Sequence, residues 1–120
     1  MSTDPIEGQV LLLTAAKASV PASRLPTLTD RVQDDLAGRL ETYRRDYECF
    51  LETDERRLFL VEWGHWDEVA DRLELTRREV SAVRRAHEEQ LRRLGRRDGI
   101  QEEVEASLEI RDPVVIATPD

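Results

Sequence analysis

Residues 66–94 read WDEVADRLELTRREVSAVRRAHEEQLRRL and decide the expected fold, because their apolar side chains recur at helical spacing. Val69, Ala70 and Leu73 give a first helix one apolar face, and Leu75 follows in a turn. Two further residues continue this face on a second, longer helix, namely Val80 and Val83. The stretch therefore predicts two helices joined by a tight turn.

The second helix has a clear predicted start. Thr76 is placed to cap it, and Glu79 follows three residues later. In such a capping box the threonine hydroxyl accepts a hydrogen bond from the backbone N–H of the glutamate. The carboxylate in turn accepts one from the backbone N–H of the threonine. The sequence therefore predicts that the second helix begins just after Thr76.

This arrangement resembles a helix-turn-helix. In that family a small residue lies in the middle of the first helix, and Ala70 takes this position. Hydrophobic residues follow at the family's spacing, namely Leu73, Leu75, Val80 and Val83. The family usually has glycine in the turn, where this chain has Glu74. Because a left-handed non-glycine residue costs about 1–2 kcal/mol, we expect a turn that is one residue longer or differently shaped.

The resemblance implies that the N-terminal part of the second helix enters the major groove of DNA. The residues that would face the DNA are Thr76, Arg77, Arg78, Ser81, Ala82 and Arg85. Arginine can pair with guanine through two hydrogen bonds, and the hydroxyls of Thr76 and Ser81 can contact phosphates. Residues 76–97 carry eight arginines against three glutamates, so this segment is positive within a chain of net charge −8.

The same arginines also fit a purely structural interpretation. Glu88 and Glu89 lie close enough along the helix to pair with several of them, namely Arg84, Arg85, Arg92 and Arg93. Helix pairs with this spacing also occur in proteins that never bind DNA. DNA binding is therefore a hypothesis that the sequence supports and does not establish.

An apolar seam extends along the second helix beyond the part that would read DNA. It consists of Val83, His87, Leu91 and Leu94. The seam either covers the core or forms a self-association surface like a short coiled coil.

The helix pair and the seam lead to two hypotheses for the function. The first is a DNA-binding or transcription-associated regulator, dimeric because paired helices read paired half-sites. The alternative is a non-enzymatic protein-interaction module or dimeric adaptor without nucleic-acid contact.

Other segments predict further helices. Residues 9–19 (QVLLLTAAKAS) are apolar nearly all round, so we expect a buried helix. From residue 27 to residue 47 the apolar side chains recur every three or four positions, which predicts one spine helix of roughly 30 Å. Gly95 and Gly99 should bracket the end of the arginine-rich helix, and residues 100–110 predict a short helix.

The β structure is limited to two short apolar runs. Residues 49–61 could finish the spine helix and begin another, or they could form a β-hairpin. Leu58–Val61 favours a short buried strand. Residues 114–117 are either a strand that pairs with this run or a loose tail. We therefore predict a mainly α domain over residues 9–117, with one or two strands in a winged-helix-like layout. Flexible ends are expected at residues 1–8 and 118–120.

Composition narrows the function classes. Charged residues make up 37 % of the chain and are acidic in balance, which argues against a generic nucleic-acid binder. The single cysteine, Cys49, excludes an internal disulfide, and we expect a buried thiol. The acidic start MSTDPIEG lacks the positive segment of a secretion signal. No apolar run is long enough to span a membrane, so we expect a cytoplasmic protein.

The sequence offers no catalytic constellation. His65 and His87 are its only histidines, and their spacing fits no metal-ligand pattern. We expect His87 to be a hydrogen-bonded core residue on the seam. We expect His65, between Trp63 and Trp66, to pack among aromatic rings at a helix start. The prediction is a protein with no enzymatic activity, metal, cofactor or small-molecule substrate.

Most of the chain resembles a group of short, acidic, uncharacterised haloarchaeal proteins. The resemblance rests on AAKASV (15–20), RVQDDL (31–36), YRRDYE (43–48), FLVEWGHWDEVADRL (59–73) and RREVSAVRRAHEEQLRRLG (77–95). One lysine against 17 arginines is also typical of such lysine-poor proteins, and a GC-rich genome alone could produce the same bias. The resemblance implies a cytoplasmic, salt-adapted protein and says nothing about its function.

Overall fold

A computed structural model describes residues 5–18 and 20–118. Over these residues the chain forms six helices: α1 (Gly8–Lys17), α2 (Leu25–Ala37), α3 (Leu40–Asp46), α4 (His65–Leu73), α5 (Arg77–Asp98) and α6 (Gln101–Leu108). The same residues form three strands: β1 (Glu48–Glu52), β2 (Arg56–Val61) and β3 (Asp112–Ala117). The prediction of a mainly α domain with a small sheet beside the helix pair is confirmed.

The three strands form an antiparallel sheet in the order β1-β2-β3. Residues 49–61 are therefore a hairpin, and the strand predicted at Leu58–Val61 is confirmed. The predicted C-terminal strand pairs with β2, opposing Val115 to Leu58, so the loose-tail alternative is wrong. Cys49 is exposed on the edge strand β1, contrary to the expected buried thiol.

Both faces of the central strand are buried. Phe59 and Val61 belong to an apolar cluster with residues of α2 and α4. The alternate residues Leu58 and Leu60 belong to a second cluster with residues of α5 and α6. Because successive side chains of a strand point to opposite faces, β2 separates two parts of the core. α5 contributes to both parts and lies beside β3.

The expected spine helix is divided in two, and the prediction of one helix from residue 27 to residue 47 is wrong. α2 ends at Ala37, and α3 begins at Leu40 after a turn at Gly38 and Arg39. In this turn the Arg39 N–H donates to the Leu36 carbonyl oxygen at 2.9 Å. Glycine, a poor helix former, marks the break. The longest helix over the described residues is α5, with 22 residues.

The N-terminal segment differs from prediction in two ways. α1 is not buried all round, because Leu12 and Leu13 are 68 % and 55 % exposed. The expected loose end at residues 1–8 is packed from residue 5 onward, with Ile6 in the core and the Glu7 N–H donating to Gln90 Oε1 at 2.7 Å. Residues 1–4, 119 and 120 of the predicted flexible ends, and Ser19 of the predicted first helix, lie outside the described residues.

The end of α5 depends on two glycines with different roles. The helix continues through Gly95 and ends at Gly99, which adopts a left-handed conformation with φ +73°. A Cβ atom at Gly95 would lie 2.6 Å from Cγ2 of Val104, so this glycine allows α6 to pack closely. Of the two glycines that were predicted to bracket the end of the helix, only Gly99 ends it.

Among the described residues, no helix combines the length and the apolar character needed to cross a membrane.

Candidate nucleic-acid interface

The turn between α4 and α5 is short and contains one left-handed residue. Glu74 adopts the left-handed conformation, with φ 56° and ψ 46°, and it is the only non-glycine residue with positive φ among those described. The Leu75 N–H donates to the Ala70 carbonyl oxygen at 2.9 Å and closes the end of α4. The expected longer or differently shaped turn is therefore wrong, because Glu74 adopts the conformation that glycine usually supplies.

Glu74→Gly should raise the free energy of unfolding by about 1 kcal/mol, because glycine adopts the left-handed conformation without the steric cost of a Cβ atom. Urea unfolding of parent and variant measures this change. Glu103→Gly in the first turn of α6 is the matched control and should lower stability, since glycine is a poor helix former and the change removes a carboxylate that favours a helix N-terminus. A Glu74→Gly variant that is also less stable than the parent would contradict the assigned turn.

The predicted capping box is present at the start of α5. Thr76 Oγ1 accepts from the Glu79 N–H at 3.1 Å, and Glu79 Oε1 accepts from the Thr76 N–H at 2.8 Å. Arg24 also pairs with Glu79 Oε2 at 2.5 Å. The hydrogen bond from the Thr76 backbone, followed by the one from Arg24, lowers the pKa of the Glu79 carboxyl. The Thr76 hydroxyl oxygen is thus an acceptor in the cap, and this role leaves its O–H donor able to make the predicted phosphate contact.

The apolar seam lies inside the domain. Its four residues are all buried: Val83, His87, Leu91 and Leu94. Leu91 and Leu94 pack in the cluster that includes Leu58 and Val115, and the His87 ring packs edge-on against Trp66 with centroids 4.7 Å apart. The seam is consequently part of the core, and it offers no surface for the self-association that was its alternative interpretation.

Most of the predicted DNA-facing residues meet in one open pocket. We call this the basic pocket; its volume is about 390 Å³, and it is lined by Lys17, Ala18, Arg77, Arg78, Ser81, Ala82 and Arg85. Arg77, Arg78, Ser81 and Arg85 are exposed, as a groove-reading face requires. Ala82 is only 2 % exposed. Thr76 is exposed but lies outside the lining.

Lys17, at the last position of α1, joins this pocket from a separate element. Arg85 Nη1 donates to the Lys17 carbonyl oxygen at 3.3 Å, which ties the end of α1 to α5. No local sequence pattern marks Lys17 as a site residue. The one available signal was that Lys17 is the only lysine in the chain.

Ion pairing distinguishes the arginines of this pocket from most others. The arginines that pair with carboxylates are Arg24, Arg39, Arg44, Arg45, Arg56, Arg57, Arg72, Arg84, Arg92, Arg93, Arg97 and Arg111. Over residues 5–18 and 20–118, those without a carboxylate partner are Arg31, Arg77, Arg78, Arg85 and Arg96. Three of these five line the basic pocket, so their guanidinium groups form no ion pair with a carboxylate of the described residues.

The structural interpretation of the helix charges holds for only part of α5. Glu88 pairs with Arg84 and Arg92, and Glu89 pairs with Arg92. Arg93 pairs instead with Glu7, and Arg85 forms no pair with either glutamate. The C-terminal half of α5 therefore carries a network of surface ion pairs, whereas the cations of its first turns remain available.

The two histidines have structural partners. His87 is 1 % exposed, and its Nδ1 accepts from the Val115 N–H at 2.9 Å, so the expected hydrogen-bonded core histidine is confirmed. His65 Nε2 lies 2.5 Å from the Tyr43 hydroxyl, and burial lowers the pKa of the imidazole. The expectation that His65 packs among aromatic rings at a helix start is confirmed, and the rings are those of Tyr43 and Tyr47. The described residues contain no cluster suited to a metal ion.

Comparison with known proteins gives a family and no function. No curated protein and no solved structure matches the chain significantly. The family described as Domain of unknown function (DUF8048) matches residues 4–118. Because this match spans nearly the whole chain, the protein belongs to the DUF8048 family.

Proposed function

We propose that this protein is a small DNA-binding, transcription-associated regulator that uses α4 and α5 as a helix-turn-helix. The observation that carries the proposal is the basic pocket, where exposed cations without carboxylate partners gather on the first turns of α5. In a chain of net charge −8, such a patch provides the local attraction that DNA binding needs. α5 corresponds in this proposal to the recognition helix.

The spacing of the exposed residues supports groove reading. Arg77, Arg78, Ser81 and Arg85 fall within the first nine residues of α5, and three or four positions along a helix bring side chains to one face. An arginine that pairs with guanine through two hydrogen bonds discriminates against other bases by about 1–3 kcal/mol. We assign Arg77 and Arg78 this base-reading role, and we assign Ser81 a phosphate contact.

The buried seam favours this proposal over the protein-interaction module. That alternative depended on Val83, His87, Leu91 and Leu94 as a contact surface, and these residues lie in the core. Pairing with a second copy stays a prediction, based on the half-sites that helix-turn-helix dimers read. A cytoplasmic location and the absence of catalysis also stay predictions, and both agree with a regulator that acts on DNA.

The test is a titration of labelled mixed-sequence duplex DNA, in potassium chloride from low to multimolar, with the Arg77→Ala/Arg78→Ala variant. On mixed-sequence DNA the two arginines act mainly as cations, so we expect a loss of about 60-fold in affinity at ~0.1 M salt, about eightfold for each charge removed. The matched control is Arg44→Ala/Arg45→Ala, which removes two exposed adjacent cations from α3.

A selective loss in the α5 variant, with its folding unchanged by circular dichroism, would support the recognition helix. An equal loss in both variants would mean that only total charge matters, which contradicts a specific site on α5. A parent protein without DNA affinity at any salt concentration would overturn the proposed function.

A further inference from the structure

We propose that the basic pocket holds a phosphate of the DNA backbone and that Lys17 and Arg85 bind it, so that α1 is a second DNA-contacting element. This inference rests on the proposed function and adds to it a contact that lies outside the helix-turn-helix. The observation behind it is the junction at which the end of α1 meets the first turns of α5.

The junction is held in place by the protein itself. The guanidinium of Arg85 reaches the Lys17 carbonyl oxygen through Nη1, so the two cationic residues are fixed to each other across α1 and α5. Two of their pocket neighbours, Ala18 and Ala82, carry only methyl groups and leave space between the two cations. The resulting space of about 390 Å³ is open to solvent and large enough for a phosphate group.

The chemistry of the lining selects an anion. Four side chains carry positive charge, and no carboxylate lines the pocket. Arginine presents several N–H donors in a planar arrangement that matches phosphate oxygens, and lysine adds a compact point charge. The start of α5 contributes partial positive charge from its first-turn N–H groups. Glu79, which is near this helix start, is engaged by Thr76 and Arg24.

Two kinds of contact can be separated along α5. Arg85 lies eight residues after Arg77, roughly 12 Å further along the helix. In this proposal Arg85 and Lys17 hold the phosphate, while Arg77 and Arg78, about two turns earlier on α5, add positive charge to the pocket and extend toward the base edges. Phosphate contacts fix the position of a protein on DNA and carry no sequence information. Loss of Lys17 should consequently weaken binding to every sequence to the same extent.

Salt titrations of Lys17→Ala test this inference directly. Each phosphate contact contributes about 0.9 to the slope of log affinity against log salt concentration. We expect the variant to lose about 0.9 of that slope and about eightfold in affinity at ~0.1 M salt. Lys17→Arg, which keeps the charge, should restore most of both. Arg96→Ala is the matched control, since Arg96 is an exposed cation of α5 without a carboxylate partner among the described residues and lies outside the pocket.

The outcomes separate this inference from the proposed function. A parent that binds DNA while Lys17→Ala has an unchanged salt slope would overturn the phosphate contact and leave the helix-turn-helix proposal intact. Equal losses in Lys17→Ala and Arg96→Ala would also overturn it, because the effect would then be general charge. A parent that binds no DNA would overturn both. A loss confined to Lys17→Ala, uniform across unrelated duplex sequences, would support it.

Discussion

Leu91→Asp is expected to unfold the domain. Leu91 is fully buried in the cluster that includes Leu58, Leu60, Val104 and Val115. Truncating a buried leucine costs about 2–5 kcal/mol, and an unpaired carboxylate adds the penalty of burying a charge or a polar acid. The sum approaches the whole stability of a typical small domain, which is about 5–15 kcal/mol. The variant should therefore lose its cooperative urea transition and most of its helical circular dichroism.

The matched control is Leu12→Asp, the same chemical change at a leucine that is 68 % exposed. This variant should unfold at nearly the urea concentration of the parent, because its carboxylate stays in water. If Leu91→Asp were instead folded and altered only the oligomeric state, the seam would be an intermolecular surface. That result would contradict its place in the core and restore the adaptor alternative.

Local sequence patterns were sufficient for the helix pair. The Thr76–Glu79 capping box needs only residues three positions apart, and its predicted hydrogen bonds are present. The strand at Leu58–Val61 was also favoured by the sequence, because a short apolar run that is followed at once by Trp63 and Gly64 is typical of a buried strand. Each of these features depends only on residues that are close together in the sequence.

Features that depend on the competition between local and tertiary structure were predicted less well. The apolar stripe from residue 27 to residue 47 passes through the break at Gly38, because Leu40 and Tyr43 return to the same side after the turn. Spacing alone cannot distinguish this from one helix. At Glu74 the steric cost of a left-handed residue led to the expectation of a different turn, but the residue adopts that conformation and the turn stays short.

The part of the candidate site that lies on α5 was predicted from the sequence, whereas the part that α1 contributes was missed. Arg77, Arg78, Ser81 and Arg85 lie on one exposed face, as helical spacing indicated. Lys17 could not be assigned, since its position beside Arg85 depends on how α1 packs 68 residues away in sequence. The same holds for Arg93, whose partner Glu7 could not be anticipated from i,i+4 spacing. Which cations stay unpaired is decided by tertiary contacts.

We expect His87 to make the free energy of unfolding strongly dependent on pH, because its ring bonds to the backbone of the edge strand β3. Side chains satisfy the backbone groups that this edge strand presents: Trp66 Nε1 donates to the Pro113 carbonyl oxygen at 3.1 Å, and His87 Nδ1 accepts from the Val115 N–H at 2.9 Å. Because Nδ1 is an acceptor here, the imidazole is neutral, with its proton on Nε2. A proton added to Nδ1 would place two donors against each other inside the core.

Burial lowers the pKa of His87 from 6.5 to about 3. The unfolded chain therefore takes up a proton near pH 6.5, whereas the folded chain does not until about pH 3. Stability from this residue is fully present above pH 6.5 and falls by about 1.4 kcal/mol for each pH unit below it. Between pH 6.5 and pH 4 the free energy of unfolding should consequently drop by about 3 kcal/mol through His87 alone.

His87→Gln isolates this contribution, because glutamine does not titrate and its amide oxygen can accept from Val115. Urea unfolding of both proteins from pH 7 to pH 4 should show the parent losing about 3 kcal/mol more than the variant. Carboxylates such as Glu88 and Asp112, whose pKa values are raised by burial, titrate in both proteins and cancel in the difference. Parallel pH profiles would mean that protonation of His87 is not excluded by the fold, and that the edge of β3 is held in some other way.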